Sequence, residues 1–301
     1  MRVAAVDIGT NTVRLLIVNR DRVTDRSTPV HRRSVVTRLG EDVDVRRRLD
    51  QAAIERVLAV LRSYRATIDS HGVEATSAVA TSAVRDAVNG EQFLGAAERD
   101  LGVRPKLISG RAEARLSFLG VRSGLDVESP MLVIDPGGGS TEFVLGDNEP
   151  DYAISIDIGS VRLTERHLAK RPTAMSDLDG ARAEVDRLLS PVELPLTPRT
   201  VVGVGGTFTS LAAILLDLPD YDPVAVHGAS FAVEAFDEIA AQLAGLTAAE
   251  TAAIPSLDPA RAPVLLGGAM VVSGALRHVE ASDAVVSEAD ILDGIALTMG
   301  A

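Results

Sequence analysis

Apolar positions near the start of the chain fall in two short runs parted by a polar turn. Val3-Ala4-Ala5-Val6 leads into Asp7-Ile8-Gly9-Thr10-Asn11-Thr12, and a second apolar run then covers Val13 to Val18. Two such runs around a glycine-bearing turn predict strand, turn, strand. The pattern returns much later: Met131-Leu132-Val133-Ile134 runs into Asp135-Pro136-Gly137-Gly138-Gly139-Ser140-Thr141, followed by Glu142-Phe143-Val144-Leu145-Gly146. One supersecondary unit thus occurs twice. This predicts two related domains rather than a solenoid, whose period would be far shorter. We place them at 1–122 and 123–301, with the Gly-, Ser- and charge-rich segment from Gly120 to Pro130 as the hinge. A third look-alike, Asp157-Ile158-Gly159-Ser160-Val161-Arg162-Leu163, continues into helical spacing over 164–169 and reads as a decoy for the turn.

Between the two copies, Ile54, Val57, Leu58, Leu61, Tyr64 and Ile68 keep helical spacing and Gly72 follows as a stop, which predicts a helix over 51–70. A strand is predicted at 73–80, a helix at 91–101 closed by Gly102, and a strand at 106–108. Ser109 is the natural cap of a helix running to Gly120. In the second half, Thr200 to Val204 reads as a strand entering the glycine turn Gly205-Gly206-Thr207, with a helix through Leu216. The alanine-rich stretch 232–253 is helical by propensity. Strands alternate with helices, so the fold class is α/β.

Composition narrows the class further. With 46% hydrophobic and 24% charged residues in 301, the chain has the make-up of a globular protein of two domains. Cysteine is absent, which excludes disulfides, thiolate zinc sites and a thiol nucleophile. Asp7 arrives too early for a signal peptide, and no apolar run is expected to approach the ~20 residues of a membrane helix. A cytoplasmic location without a membrane partner follows as the expectation. The formal charge of −12 argues against a nucleic-acid groove. It does not argue against a small anionic substrate, because charges farther away than ~8 Å are screened at physiological salt.

Three turns are candidate anion sites: Asp7 to Thr12, Asp135 to Thr141 and Gly203 to Thr207. Glycines let backbone amides approach and surround an anion, and Ser and Thr hydroxyls add donors. Asp7 and Asp135 suit Mg²⁺, which takes one or two carboxylates along with water and phosphate oxygens; Glu142 could hold a metal-bound water. Each aspartate could equally bond its own turn amides. Arg85, at the start of a helix or turn after the 73–80 strand, could grip phosphate oxygens or pair with Asp86. Glu113 could be chemical, or a carboxylate at a helix start favoured by the dipole. Arg261 is ordinary by itself. There is no GxxxxGK[ST] loop, HExxH or G-x-S-x-G elbow, and the five histidines show no metal-ligand spacing.

Together these segments resemble the exopolyphosphatase and guanosine pentaphosphate phosphatase (Ppx/GppA) family. The matching pieces are Asp7 to Leu15, Ala80 to Arg85, Ile108-Ser109-Gly110 with Glu113 to Leu116, Asp135 with Gly137 to Glu142, Gly159 to Glu165, Gly205-Gly206-Thr207 and Val286 to Gly294. The resemblance implies two actin-like (ASKHA, ribonuclease H-like) domains with an interdomain cleft. It implies Glu113 as catalytic base, and Mg²⁺ or another hard cation with Asp135 and Glu142. The turns Thr10-Asn11-Thr12 and Gly137-Gly138-Gly139-Ser140-Thr141, with Arg85 and Arg261, are implied as phosphate contacts. The substrate it implies is inorganic polyphosphate or guanosine pentaphosphate, with a homodimer by analogy; a low-turnover polyphosphate or alarmone sensor is the reading from another class. Three positions depart from the family pattern: Ala112 stands in place of a second glutamate, Pro136 of an aliphatic residue and Pro263 of an aspartate.

Overall fold

The computed structural model describes residues 1–21 and 27–299. The chain divides into two compact units, Met1–Ser123 with the segment from Ile291, and Gly124–Asp290.

The first unit opens with β1 (Arg2–Ile8), β2 (Thr12–Arg20) and β3 (Ser27–Val36), followed by α1 (Val43–Arg46), α2 (Gln51–Ser70), β4 (Ala75–Ala80), α3 (Ser82–Asp86), α4 (Gly90–Leu101), β5 (Lys106–Leu107) and α5 (Gly110–Gly124). Its sheet has the order β3-β2-β1-β4-β5, antiparallel from β3 to β1 and parallel from β1 to β5. Strand β1 is buried on both faces, as its unbroken apolar run requires. Ala4, Val6 and Ile8 face α2 and α4, which bury Val57, Leu61, Tyr64, Phe93 and Leu94 against them.

The second unit runs β6 (Met131–Pro136), β7 (Thr141–Gly146), β8 (Pro150–Ile156), α6 (Ser160–His167), α7 (Met175–Leu189), β9 (Thr200–Gly203), α8 (Gly205–Leu215), α9 (Pro223–Val226), β10 (Ser230–Ala232), α10 (Val233–Gly245), α11 (Ala248–Ala252), α12 (Ala262–His278) and β11 (Asp283–Val286). Its sheet order is β10-β11-β9-β6-β7-β8. Numbered by position within each unit, the first sheet follows 3-2-1-4-5 and the second 3-2-1-4-6-5, the same order once the edge strand β10 is set aside. The repeat read from the turns is thus a repeat of whole topology.

The last helix, α13 (Ile291–Thr298), returns to the first unit. The expected second domain, 123–301, therefore loses its final segment, and the boundary falls after Ser123 rather than after 122. The cause is packing. Ile291, Leu292, Ile295 and Ala296 cover Val3, Ala5, Leu16, Val18 and Val79, the sheet face that α2 and α4 leave bare.

Helix α12 is the core of the second unit, packed among α6, α7, α8 and α10. With the turn before it, Pro259–His278 is long and apolar enough by composition to cross a membrane, contrary to the expectation that no run approaches that length. Its apolar window is 72% buried within the protein, as a core helix of a globular domain is. The alanine-rich stretch 232–253 also divides, into α10 and α11. Thr247 accepts from the Glu250 amide and Glu250 from the Thr247 amide, a capping box that starts a new helix.

Candidate active site

The first half-site stands at the end of β1. The Gly9 N–H donates to the Thr12 carbonyl at 3.0 Å and closes the turn. Thr10, Asn11 and Thr12 are all buried. Thr10 shares a hydroxyl hydrogen bond with Ser82 at 2.7 Å, and the Asn11 Oδ1 has no hydrogen-bond partner although buried, which gives that amide capacity for a ligand. From outside, the segment Thr37–Gly40 clamps the turn: the Thr37 and Arg38 amides donate to the Asn11 carbonyl and the Gly40 amide to that of Thr10. Asp7, directly opposite Arg14 across the β1–β2 ladder, accepts from Arg14 Nε at 3.0 Å and Nη2 at 2.7 Å through one oxygen, Oδ2.

Glu113 and Arg85 are brought together within this unit. Arg85, on α3, donates from Nη1 to the Ile108 carbonyl at 3.0 Å, and the same nitrogen lies 3.9 Å from Glu113 Oε2. Glu113 lies in the first turn of α5, its amide donating to the Ser109 carbonyl, and Ser109 Oγ accepts from the Ala112 amide. The departure at 112 thus sits in an intact capped turn. The Glu113 side chain is only 15% exposed, and its Oε2 faces Arg85 at ion-pair distance, beyond hydrogen-bonding reach.

The second half-site repeats the first at an offset of 128 residues. The Gly137 N–H donates to the Ser140 carbonyl at 2.9 Å, and Asp135 stands opposite Glu142 as Asp7 stands opposite Arg14. Both Asp135 and Glu142 are buried, and Glu142 Oε1 accepts from Ser155 Oγ on β8 at 2.7 Å. The segment read as a decoy supports this turn. The Ser160 amide donates to the Gly137 carbonyl, the Val161 and Arg162 amides donate to that of Gly138, and Thr141 Oγ1 donates to the Ile158 carbonyl. Helix α6 therefore spends its unpaired N-terminal amides on the glycine turn. Gly159 makes the approach feasible, since a Cβ there would come within 2.5 Å of the Gly138 carbonyl.

Gly205 and Gly206 are the first residues of α8 rather than a separate turn. Gly205 has φ 80°, and a Cβ on it would lie 2.8 Å from Asp135 Oδ1. One on Gly206 would lie 1.9 Å from Arg261 Nη1. Gly205, Gly206, Asp135 and Arg261 are thereby gathered. Pro263 does not disturb Arg261. It is the second residue of α12, where no intrahelical amide is lost, while Asp258 caps the short 3-10 turn Pro259–Arg261. Near Arg261, the Tyr221 hydroxyl donates to Glu288.

A hard divalent cation fits Asp135 and Glu142. They are directly opposed on paired antiparallel strands, and two carboxylates are the number Mg²⁺ commonly takes. No group of three or more His, Asp or Glu able to hold a metal occurs among the described residues. Asp7, expected as a third ligand, has its charge answered by Arg14.

The sequence pattern assigns no role to Arg14, Gly159, Ser82 or Tyr221. Arg14 was within reach, because both hairpins place a charged residue seven positions after the aspartate.

Residues 16–299 match the Ppx/GppA phosphatase family. The chain belongs to that family. Ppx/GppA membership is supported by exopolyphosphatase 2 of Mycobacterium tuberculosis, 39% identical over 99% of this chain and 98% of that protein. The crystal structure of the Aquifex aeolicus Ppx/GppA member superposes with a TM-score of 0.83 at 32% identity, covering 99% of this chain and 97% of its own. An exopolyphosphatase from Cytophaga hutchinsonii gives 0.88 at 26% identity, covering 99% and 97%. The protein is a Ppx/GppA phosphatase of mixed α/β fold.

Proposed function

We propose that this phosphatase cleaves the terminal phosphoric anhydride of inorganic polyphosphate, with Glu113 as general base. The observation that carries the assignment is Glu113 at a helix start, largely enclosed and 3.9 Å from the Arg85 guanidinium, in a member of a phosphatase family whose similar proteins include exopolyphosphatases.

Glu113 accepts the proton of a water as its oxygen forms a bond to the terminal phosphorus, and the bond from phosphorus to the bridging oxygen breaks. Orthophosphate leaves, and the chain is one unit shorter. Such transfers pass through a loose transition state, so the main contributions are alignment and neutralisation of charge on the phosphoryl oxygens. Arg85 and Arg261 supply cationic donors, and the Thr10–Thr12 and Gly137–Thr141 turns hold phosphate oxygens. A divalent cation at Asp135 and Glu142, when bound, withdraws charge from the phosphate oxygens. Asp7 and Arg14 keep the first turn in place.

Phosphate release with Mg²⁺, measured on polyphosphates and on guanosine pentaphosphate, tests the assignment. Release from polyphosphate, abolished by a chelator, is expected. Glu113→Gln should lower kcat by about 10²- to 10⁴-fold, the contribution usual for general-base catalysis, with little change in substrate binding. Unchanged kcat in that variant removes Glu113 from the mechanism, and release confined to guanosine pentaphosphate replaces the substrate.

A further inference from the structure

The formal charge of −12 is unevenly divided between the units. The first carries 21 Lys and Arg against 16 Asp and Glu, a formal +5, and the second 9 against 26, a formal −17. Several exposed arginines of the first unit are paired: Arg46 with Asp42, Arg56 with Glu41, Arg62 with Asp100, Arg65 with Asp69, and Arg104 with Glu91 and Glu98. Arg47 and Arg48 are exposed, and neither side chain has a hydrogen bond or ion pair among the described residues. The nearest acids in sequence are otherwise engaged, since Asp50 caps α2 through the Ala52 and Ala53 amides.

These two arginines are held in a fixed frame next to the first half-site. The segment that carries them begins at Thr37–Gly40, bonded to the phosphate turn, and ends against the chain that follows Arg85. There the Val88 amide donates to the Arg47 carbonyl at 2.9 Å, and buried Asn89 exchanges hydrogen bonds with the Leu49 amide and carbonyl at 2.9 and 3.0 Å. Val88 is three residues beyond Arg85, at most about 11 Å of extended chain. Arg47 also closes α1 in the left-handed conformation, φ 52°. Glycine or asparagine serves that position without the strain a long side chain incurs, so an arginine there points to use of its side chain.

We infer that Arg47 and Arg48 form a secondary subsite that holds an inner stretch of a polyphosphate chain whose end lies at Arg85 and Glu113. The inference rests on the polyphosphate reading above and deepens it, because the subsite favours long chains over short ones. The terminal phosphate meets the same groups whatever the chain length. Only a chain long enough to extend past Arg85 gains the additional cations.

The test is the double variant Arg47→Asn, Arg48→Gln, in which asparagine tolerates the left-handed backbone. Phosphate release is followed on long-chain polyphosphate and on tripolyphosphate, each at low and moderate salt. KM for the long chain should rise about tenfold, the scale of two exposed charge contacts, and its salt dependence should flatten. Kinetics on tripolyphosphate and the Tm should stay as in the unaltered protein. Unchanged long-chain KM, or equal losses on both substrates with an unchanged Tm, overturns the subsite. If the Tm falls, the single variant Arg48→Gln, outside the left-handed position, takes over the same comparison. Unaltered protein that hydrolyses neither substrate removes the functional reading itself, and the subsite with it.

Discussion

Position 14 and its counterpart, position 142, show how one hairpin is turned to two tasks. In the first hairpin the aspartate faces Arg14, and its charge is neutralised within the protein. In the second it faces Glu142, so two carboxylates stand side by side on paired strands. Asp7 is 3% exposed, and its Oδ2 accepts two hydrogen bonds from that guanidinium. Arg14→Met should cost about 3–5 kcal/mol, the penalty for leaving one member of a buried pair alone, read from urea denaturation. Adding Asp7→Asn should recover much of that loss, and strictly additive losses would show that the two residues do not act as a pair. The aspartates, glycines and hydroxyls of the turns were legible in the sequence because their chemistry is local. The role of Arg14 was not, because it follows from strand register.

At the scale of elements, the second turn depends on α6 behind it. Gly159→Ala has no backbone objection, since φ is −160°, but its methyl would press on the Gly138 carbonyl. The expected result is a displaced turn, with phosphate release falling at least tenfold while Tm drops by a few degrees, measured by calorimetry and steady-state kinetics. Helix α6 is fastened to α7 by Glu184, which bonds both Arg166 and His167. Burial opposes ionisation of Glu184, but the bonds from His167 and Arg166 and their charges prevail, and its carboxyl sits below the usual 4.5. A lowered carboxylate stabilises the fold above the unfolded value and ceases to do so as pH falls through the folded one. Glu184→Gln should therefore lower Tm at neutral pH, and the difference from the unaltered protein should close as pH falls below the usual carboxylate range. Helix α2 was legible to the residue, because six apolar positions at helical spacing end just before Gly72. The division of 232–253 was missed although Thr247 and Glu250 spell a capping box, since alanine propensity alone favours one continuous helix.

For the whole molecule, the sequence made the duplication legible through its turns, but not the ownership of the last helix or the division of charge. Both depend on which residues fold together. Leu292 and Ile295 are fully buried against β1 and β2, so the first unit has one face of its sheet completed by a segment some 170 residues away in the chain. Leu292→Ala should cost about 2–5 kcal/mol, the usual range for a buried leucine, and hydrogen exchange should show the loss in β1 and β2. Protection lost in the second unit alone would contradict this placement of the helix. There is a consequence for synthesis on the ribosome. Residues up to Ser123 emerge first yet cannot close their sheet, whereas the stretch from Gly124 to Asp290 already holds its own core. The part of the chain made first should therefore be completed last, waiting with an apolar face uncovered until the residues around 291–299 have left the exit tunnel.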